Sequence, residues 1–237
     1  DLMLNGIKWE IESRFNSEHR TINPDLLGML KHLQKSLPEV RAIRVANAEG
    51  IVVVGSGPQG NQHFSVVDRK YFAHHLSHDD NELYISKPLA GRLSDTPIVV
   101  FGRRLNFPNG DFAGVVYAIV DVKYLDQLLA SFDLGEHGTI TVRDSKLALI
   151  TRWPPISDSP AGQTGSRQVS PELLAILNQG VDSGTIFNSH SVDGERRTVS
   201  FRRLSGFPLL IVAGVAPQDY LADLWGKRLI LDLAIAL

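Results

Sequence analysis

Between Asp68 and Asp121 the sequence gathers residues able to hold a small polar molecule. Arg69 can fork its guanidinium onto a carboxylate, and Asp121, at the exit of an apolar run, can receive an ammonium or amide group. Tyr84 and Ser86 are two apart on an alternating segment, so they share one strand face and can add hydrogen bonds. Tyr71 and Phe72 supply aromatic wall. Arg69 and Asp121 could equally satisfy each other, because buried charges need partners with or without a ligand. Arg92, Arg103 and Arg104 read as solvated charges at strand ends.

Two other chemistries are written into the same half. His74 and His78 stand four apart, a helical spacing that binds zinc when a third ligand converges, but no Glu follows His74 as in a zinc protease. A solvated, polar helix end is the plainer reading, and no metal site is assigned. Residues 55–60, Gly-Ser-Gly-Pro-Gln-Gly, match the glycine pattern of a dinucleotide-binding turn. Their context is wrong: the preceding strand pairs by hairpin, Pro58 sits inside the turn, and no helical pattern begins after Gly60. A surface loop is the expectation, with a nucleotide-dependent oxidoreductase using Gly55–Gly60 as the rival. Serine-nucleophile motifs, paired catalytic carboxylates and a P-loop are missing, so no enzyme activity is expected of this chain and no cofactor.

Composition narrows the class further. With 237 residues, 43% hydrophobic and 21% charged, the chain can bury one large core or two small ones. A formal net charge of -2 and the lack of a basic stripe argue against nucleic acid as a partner. Cysteine is absent, which excludes disulfides and thiol catalysis.

The elements that would position these residues follow from periodicity. Leu4, Ile7, Ile11 and Phe15 mark an amphipathic helix. Asn23-Pro24-Asp25 reads as a second helix start, followed by Leu26, Leu27, Leu30 and Leu33 at helical spacing. Residues 40–54 change period and turn at Asn47–Gly50, a hairpin. Asp68 can cap a helix carrying Phe72 and Leu76. Strands follow at 83–86, 96–101 and 112–120, then a helix with Tyr124 and Leu128.

The second half repeats this order. Residues 139–150 are again strand, turn, strand, and Ser170-Pro171-Glu172 opens a short helix. Phe201-Arg202-Arg203-Leu204 echoes Phe101-Gly102-Arg103-Arg104-Leu105. Residues 208–215 echo the apolar strand, and Tyr220 echoes Tyr124. Aligned on those tyrosines, Asp121 faces Pro217, so the candidate site belongs to the first copy alone. Two similar α+β domains in tandem result. The division is residues 1–37, N-terminal helices; 38–134, a first domain; 135–224, a second; and 225–237, an exit helix. The apolar run Leu229–Leu237 is shorter than the roughly 18 residues a membrane span needs. It is either an amphipathic terminal helix or the start of a span.

Residues 68–72, 83–88, 103–105 and 112–121 together resemble the double Cache family of tandem PAS-like extracytoplasmic sensor domains. The version is closest in pattern to those of diguanylate cyclases and sensor histidine kinases. The resemblance covers nearly the whole chain. It implies a long N-terminal helix, a membrane-distal PAS-like domain that binds ligand, and a membrane-proximal PAS-like domain, each a central antiparallel sheet flanked by helices. It further implies the periplasmic part of an inner-membrane receptor, flanked by spans, homodimeric through the N-terminal helix, with Leu229 onward entering the second span. The ligand expected is a carboxylate, amine or amino-acid-like molecule, held by Arg69, Tyr71, Tyr84, Ser86 and Asp121. In the amino-acid-binding branch, Trp and Tyr stand where this chain has Tyr71 and Phe72, a departure that leaves an α-amino acid less expected.

Overall fold

Alternation and helical stripe sort the chain into eleven strands and five α-helices among the described residues of a computed structural model. Those residues are 1–15, 22, 26–58, 60, 62–93 and 96–221. The Asn23-Pro24-Asp25 helix start and the exit segment 225–237 lie outside them. The chain divides into two compact units, Asp1–Leu125 and Asp126–Leu237.

In the first unit the amphipathic stripe becomes α1 (Leu2–Ser13), with Leu4, Ile7 and Ile11 buried. Each such side chain withdrawn from water contributes about 1.5–3 kcal/mol. Helix α2 (Leu26–Lys35) follows. The predicted hairpin is β1 (Ala42–Asn47) and β2 (Val52–Gly55), antiparallel. Next come α3 (Lys70–Ser77), the short β3 (Tyr84–Ile85) and β4 (Leu89–Ala90), and the long strands β5 (Pro97–Asn106) and β6 (Phe112–Asp121). The sheet order is β2-β1-β6-β5-β3, with β4 also on β5. Central β6 is buried along nearly its whole length, as its continuous apolar run required.

Successive residues of β5 show how the two sheet faces are used. Arg103 Nη2 meets the Asp1 carboxylate 2.7 Å away, at the start of α1. Arg104 turns the other way and donates to the His75 carbonyl of α3. Strand alternation therefore puts α1 and α3 on opposite faces. Both arginines are buried, which corrects their reading as solvated strand-end charges. Their heads are satisfied by Asp1, by backbone carbonyls at Asn81 and His75, and by Asn106. Arg104 also lies over the Phe112 ring.

The second unit contains β7 (Thr139–Asp144), β8 (Leu149–Trp153), α5 (Pro171–Leu177), β9 (Ser183–Asn188), β10 (Arg197–Arg203) and β11 (Leu209–Val215). Ser170 caps α5 as its sequence position predicts, its Oγ accepting from the Leu173 N–H at 3.2 Å. The sheet order β8-β7-β11-β10-β9 repeats that of the first unit strand for strand. The internal repeat is thus a repeat of topology. Helix α4 (Val122–Ala130) follows β6 without an intervening residue.

Two local expectations need correction. Asp68 does not cap α3: Arg69 occupies the N-cap position and makes no side-chain cap, while Asp68 pairs with Arg92 at 2.5 Å. The 83–86 strand is shorter than its alternation suggested, since only Tyr84 and Ile85 pair with β5.

Candidate ligand-binding site

The α3-side face of the first sheet carries Ala42, Arg44 and Ala46 on β1, opposite Tyr117 and Ile119 on β6. A cavity opens between this face, the start of α3 and the loop before β5. Arg44, Arg69, Tyr71, Arg92 and Tyr117 bring its polar groups. A neighbouring cavity shares Arg44 and Arg92 and adds Arg41. Each is narrow, with about 20 Å³ of free space, room for roughly one water. Among the described residues no carboxylate lines either one.

Arg44 is the centre of the charge. It is 6% exposed, its Nη2 donates to the Pro58 carbonyl at 3.1 Å, and its Nε has no hydrogen-bond partner. The Phe64 ring lies 5.2 Å from its Cζ. The Tyr117 hydroxyl is likewise buried and makes no hydrogen bond of full geometry among the described residues, though the Tyr71 hydroxyl and the Arg44 guanidinium lie close enough to pull its pKa down. The Tyr71 ring stands 5.0 Å from the Tyr117 ring. Burial raises both phenol pKa values, so both remain neutral hydrogen-bond donors at ordinary pH. An unmade hydrogen bond on a buried donor costs about 1–3 kcal/mol, more on a charged one. An anion placed between Arg44 and Tyr117 would relieve both.

The expected site residues divide here. Arg69 and Tyr71 line the cavity. Asp121 does not: Arg41 Nη1 holds its Oδ1 at 2.7 Å, with the Thr96 hydroxyl 3.4 Å away. It is therefore paired with Arg41, not with Arg69. Ser86 and Tyr84 also lie outside the lining. The Ser86 Oγ accepts from the Val100 N–H at 2.8 Å and locks the strand edge. Tyr84 packs against His74, ring centroids 4.8 Å apart. Arg44, Arg92 and Tyr117 were not expected. Arg44 had a signal, being the one charge between Ala42 and Ala46 on an otherwise apolar strand face.

The glycine run has a different purpose from a phosphate cradle. Gly55 pairs with Arg44 across the β1–β2 ladder, and a Cβ there would sit 2.7 Å from Arg44 Cγ. Gly60 folds back onto Gly55, where a Cβ would meet the Gly55 carbonyl oxygen at 2.2 Å. Among the described residues no helix begins between Gly60 and Lys70. The run makes space for an arginine, and the dinucleotide reading falls.

The histidines also differ from the expected pair. His74 and His78 stack at 4.5 Å, and His78 Nδ1 bonds the His74 carbonyl. Instead His74, His75 and Asp80 bring donor atoms within 4.8 Å of one another. His75 is fully buried, neither ring nitrogen makes a hydrogen bond of full geometry among the described residues, and burial lowers its pKa to about 4. The Gly102 backbone partly offsets the burial, whereas the nearby Arg104 charge acts with it and opposes a cation at this place.

No family model matches the sequence, and no curated protein does. Solved structures do. The extracellular domain of a protein assigned as a histidine kinase, rpHK1S-Z16, is 26% identical, with a TM-score of 0.75 over 92% of this chain and 85% of that one. The periplasmic sensory domain of the Campylobacter jejuni chemoreceptor Tlp1 is 9% identical, with a TM-score of 0.70 over 92% and 87%. The sensory domain of C. jejuni Tlp3, solved with isoleucine bound, is 12% identical, with a TM-score of 0.60 over 92% and 83%. These are sensory domains, not catalytic ones. With its helix α1 and its two sheets of identical strand order, the chain has the tandem PAS-like fold of bacterial extracytoplasmic sensor domains.

Proposed function

We propose that this chain senses a small organic anion, a carboxylate or the carboxylate end of an amino-acid-like molecule, in the cavity of its first unit. The single observation that carries the reading is the pair of buried donors on one cavity wall, Arg44 Nε and Tyr117 Oη, neither of which makes a hydrogen bond of full geometry among the described residues. Arg69 adds positive charge at its mouth, beside the Arg92–Asp68 ion pair. Asp121, committed to Arg41, is better placed to hold that arginine than to receive an ammonium group.

The cavity must widen to admit any organic ligand, so binding selects a state other than the closed one. Such a difference in affinity between two states is what signalling requires. In this reading the first unit is membrane-distal and the second membrane-proximal. The chain is the periplasmic part of an inner-membrane receptor that drives histidine-kinase or chemoreceptor signalling, rather than the diguanylate cyclase the sequence pattern also suggested. Among the described residues no helix is long and apolar enough to cross a membrane, so the spans would lie outside them. Because the Leu4, Ile7 and Ile11 stripe is consumed inside the unit, pairing of two copies would use the opposite face of α1, where Leu2 and Trp9 are exposed.

Thermal-shift screening with short mono- and dicarboxylates and aliphatic amino acids tests the site. A stabilising carboxylate is expected in the wild type, with affinity reduced at least about tenfold in Arg44→Met, the loss of one charge-assisted hydrogen bond. A well-folded wild type that no member of the panel stabilises would refute the reading.

A further inference from the structure

The second unit has a built site of its own, on the α5-side face of its sheet. A cavity of about 50 Å³ is lined by Thr141 and Arg143 of β7, Arg152 of β8, Arg197 of β10 and Asn188 at the end of β9. It is larger than either cavity of the first unit. All five side chains are at least nine-tenths buried.

Their charges do not cancel. Asp193 bridges two of the arginines, with Oδ2 2.5 Å from Arg152 Nη2 and Oδ1 2.7 Å from Arg197 Nη1. Arg143 has no such partner. Among the described residues its guanidinium donates only to the backbone carbonyls of Leu147, Ser166 and Gln168. The adjacent Asp144 carboxylate is spent on the turn amides of Lys146 and Ala148. Burial first, and the Arg152 charge second, lower the Arg143 pKa to about 10. That leaves it protonated at neutral pH.

Two polar atoms in the same wall are also unmade. Thr141 Oγ1 and Asn188 Oδ1 are buried with no hydrogen-bond partner. Asn188 is held in place through Nδ2, which donates to Ser191 Oγ at 3.0 Å. Space is kept for the arginine wall by Gly214, where a Cβ would stand 2.9 Å from Arg197 Cδ. An anion would answer Arg143 and accept from the Thr141 hydroxyl. The Asn188 oxygen asks for a donor on the same molecule.

From this geometry we infer that the second unit binds a short hydroxy-carboxylate of a few heavy atoms, its carboxylate on Arg143 and Thr141 and its hydroxyl donating to Asn188 Oδ1. This site is separate from the one in the first unit and does not depend on it.

The experiment follows the arginine Nε–H and backbone amide NMR signals of the whole chain during titration with glycolate, acetate and inorganic phosphate. Glycolate is expected to shift the Arg143 and Thr141 signals and to bind more tightly than acetate, which lacks the hydroxyl, and than phosphate. Thr141→Val should weaken glycolate about tenfold. Without ligand the same variant should melt no lower than the wild type, because it deletes a buried hydroxyl that has no partner. No shift at Arg143, acetate as tight as glycolate, or undiminished glycolate binding in folded Thr141→Val would each overturn the assignment.

Discussion

Gly55 and Arg44 face each other across the β1–β2 ladder, and the glycine's missing side chain is the space through which the arginine reaches the cavity. Gly55→Ala would press a methyl against Arg44 Cγ with the backbone oxygens of Ile43 and Gly60 close behind, at 3.3 Å. Overpacking of this kind costs about 1–3 kcal/mol. Urea denaturation should show that loss. Carboxylate affinity should fall as well, since the displaced head belongs to Arg44.

Asp121 gives a test that separates two roles. If it received a ligand ammonium group, Asp121→Asn would abolish binding. The ion pair with Arg41 predicts otherwise. Both partners are partly exposed, 25% and 34%, so stability should drop by no more than about 1 kcal/mol. The freed Arg41 should leave carboxylate affinity equal or higher, read by calorimetry.

His75 predicts a pH dependence of stability. Its pKa falls from 6.5 to about 4 on folding, chiefly through burial. Between those values the unfolded chain takes up a proton that the folded one refuses. Stability is therefore whole above pH 6.5 and declines as the pH drops towards 4, by at most about 1.4 kcal/mol per pH unit. His75→Leu should flatten that part of the profile in chemical denaturation at stepped pH.

Asp193 is the keystone of the second unit's arginine wall. Burial pushes its carboxyl pKa up, but the Arg197 hydrogen bond and the charges of Arg197 and Arg152 outweigh this and hold it below its usual value. Asp193→Asn would leave two guanidinium groups buried and unbalanced, at 7% and 4% exposure. The expected loss is about 3–5 kcal/mol, visible as a lowered melting temperature.

The scaffold was legible because its signals are periodic. The α1 stripe, the Asn47–Gly50 hairpin, the apolar run that became β6 and the Tyr124 stripe that became α4 each map onto an element. Of the residues the sequence offered for a site, Arg69 and Tyr71 line the proposed cavity, while Asp121, Tyr84 and Ser86 are engaged elsewhere, by Arg41, His74 and Val100. What decided their fate was partners distant in sequence: Arg41 lies 80 residues from Asp121. Arg103 and Arg104 misled for the same reason, because the groups that satisfy them are Asp1 and the His75 carbonyl. Arg44 could have been found from its place on an apolar strand face.

Tyr117 and Ile119 belong to the strand that runs into α4 with no residue between them and the helix to spare for a loop: β6 ends at Asp121 and α4 begins at Val122. A linker would absorb a small displacement of the strand as slack. Here there is none. A molecule that draws Tyr117 towards Arg44 therefore tugs on a taut splice, and the first turn of α4 must move with the wall of the cavity.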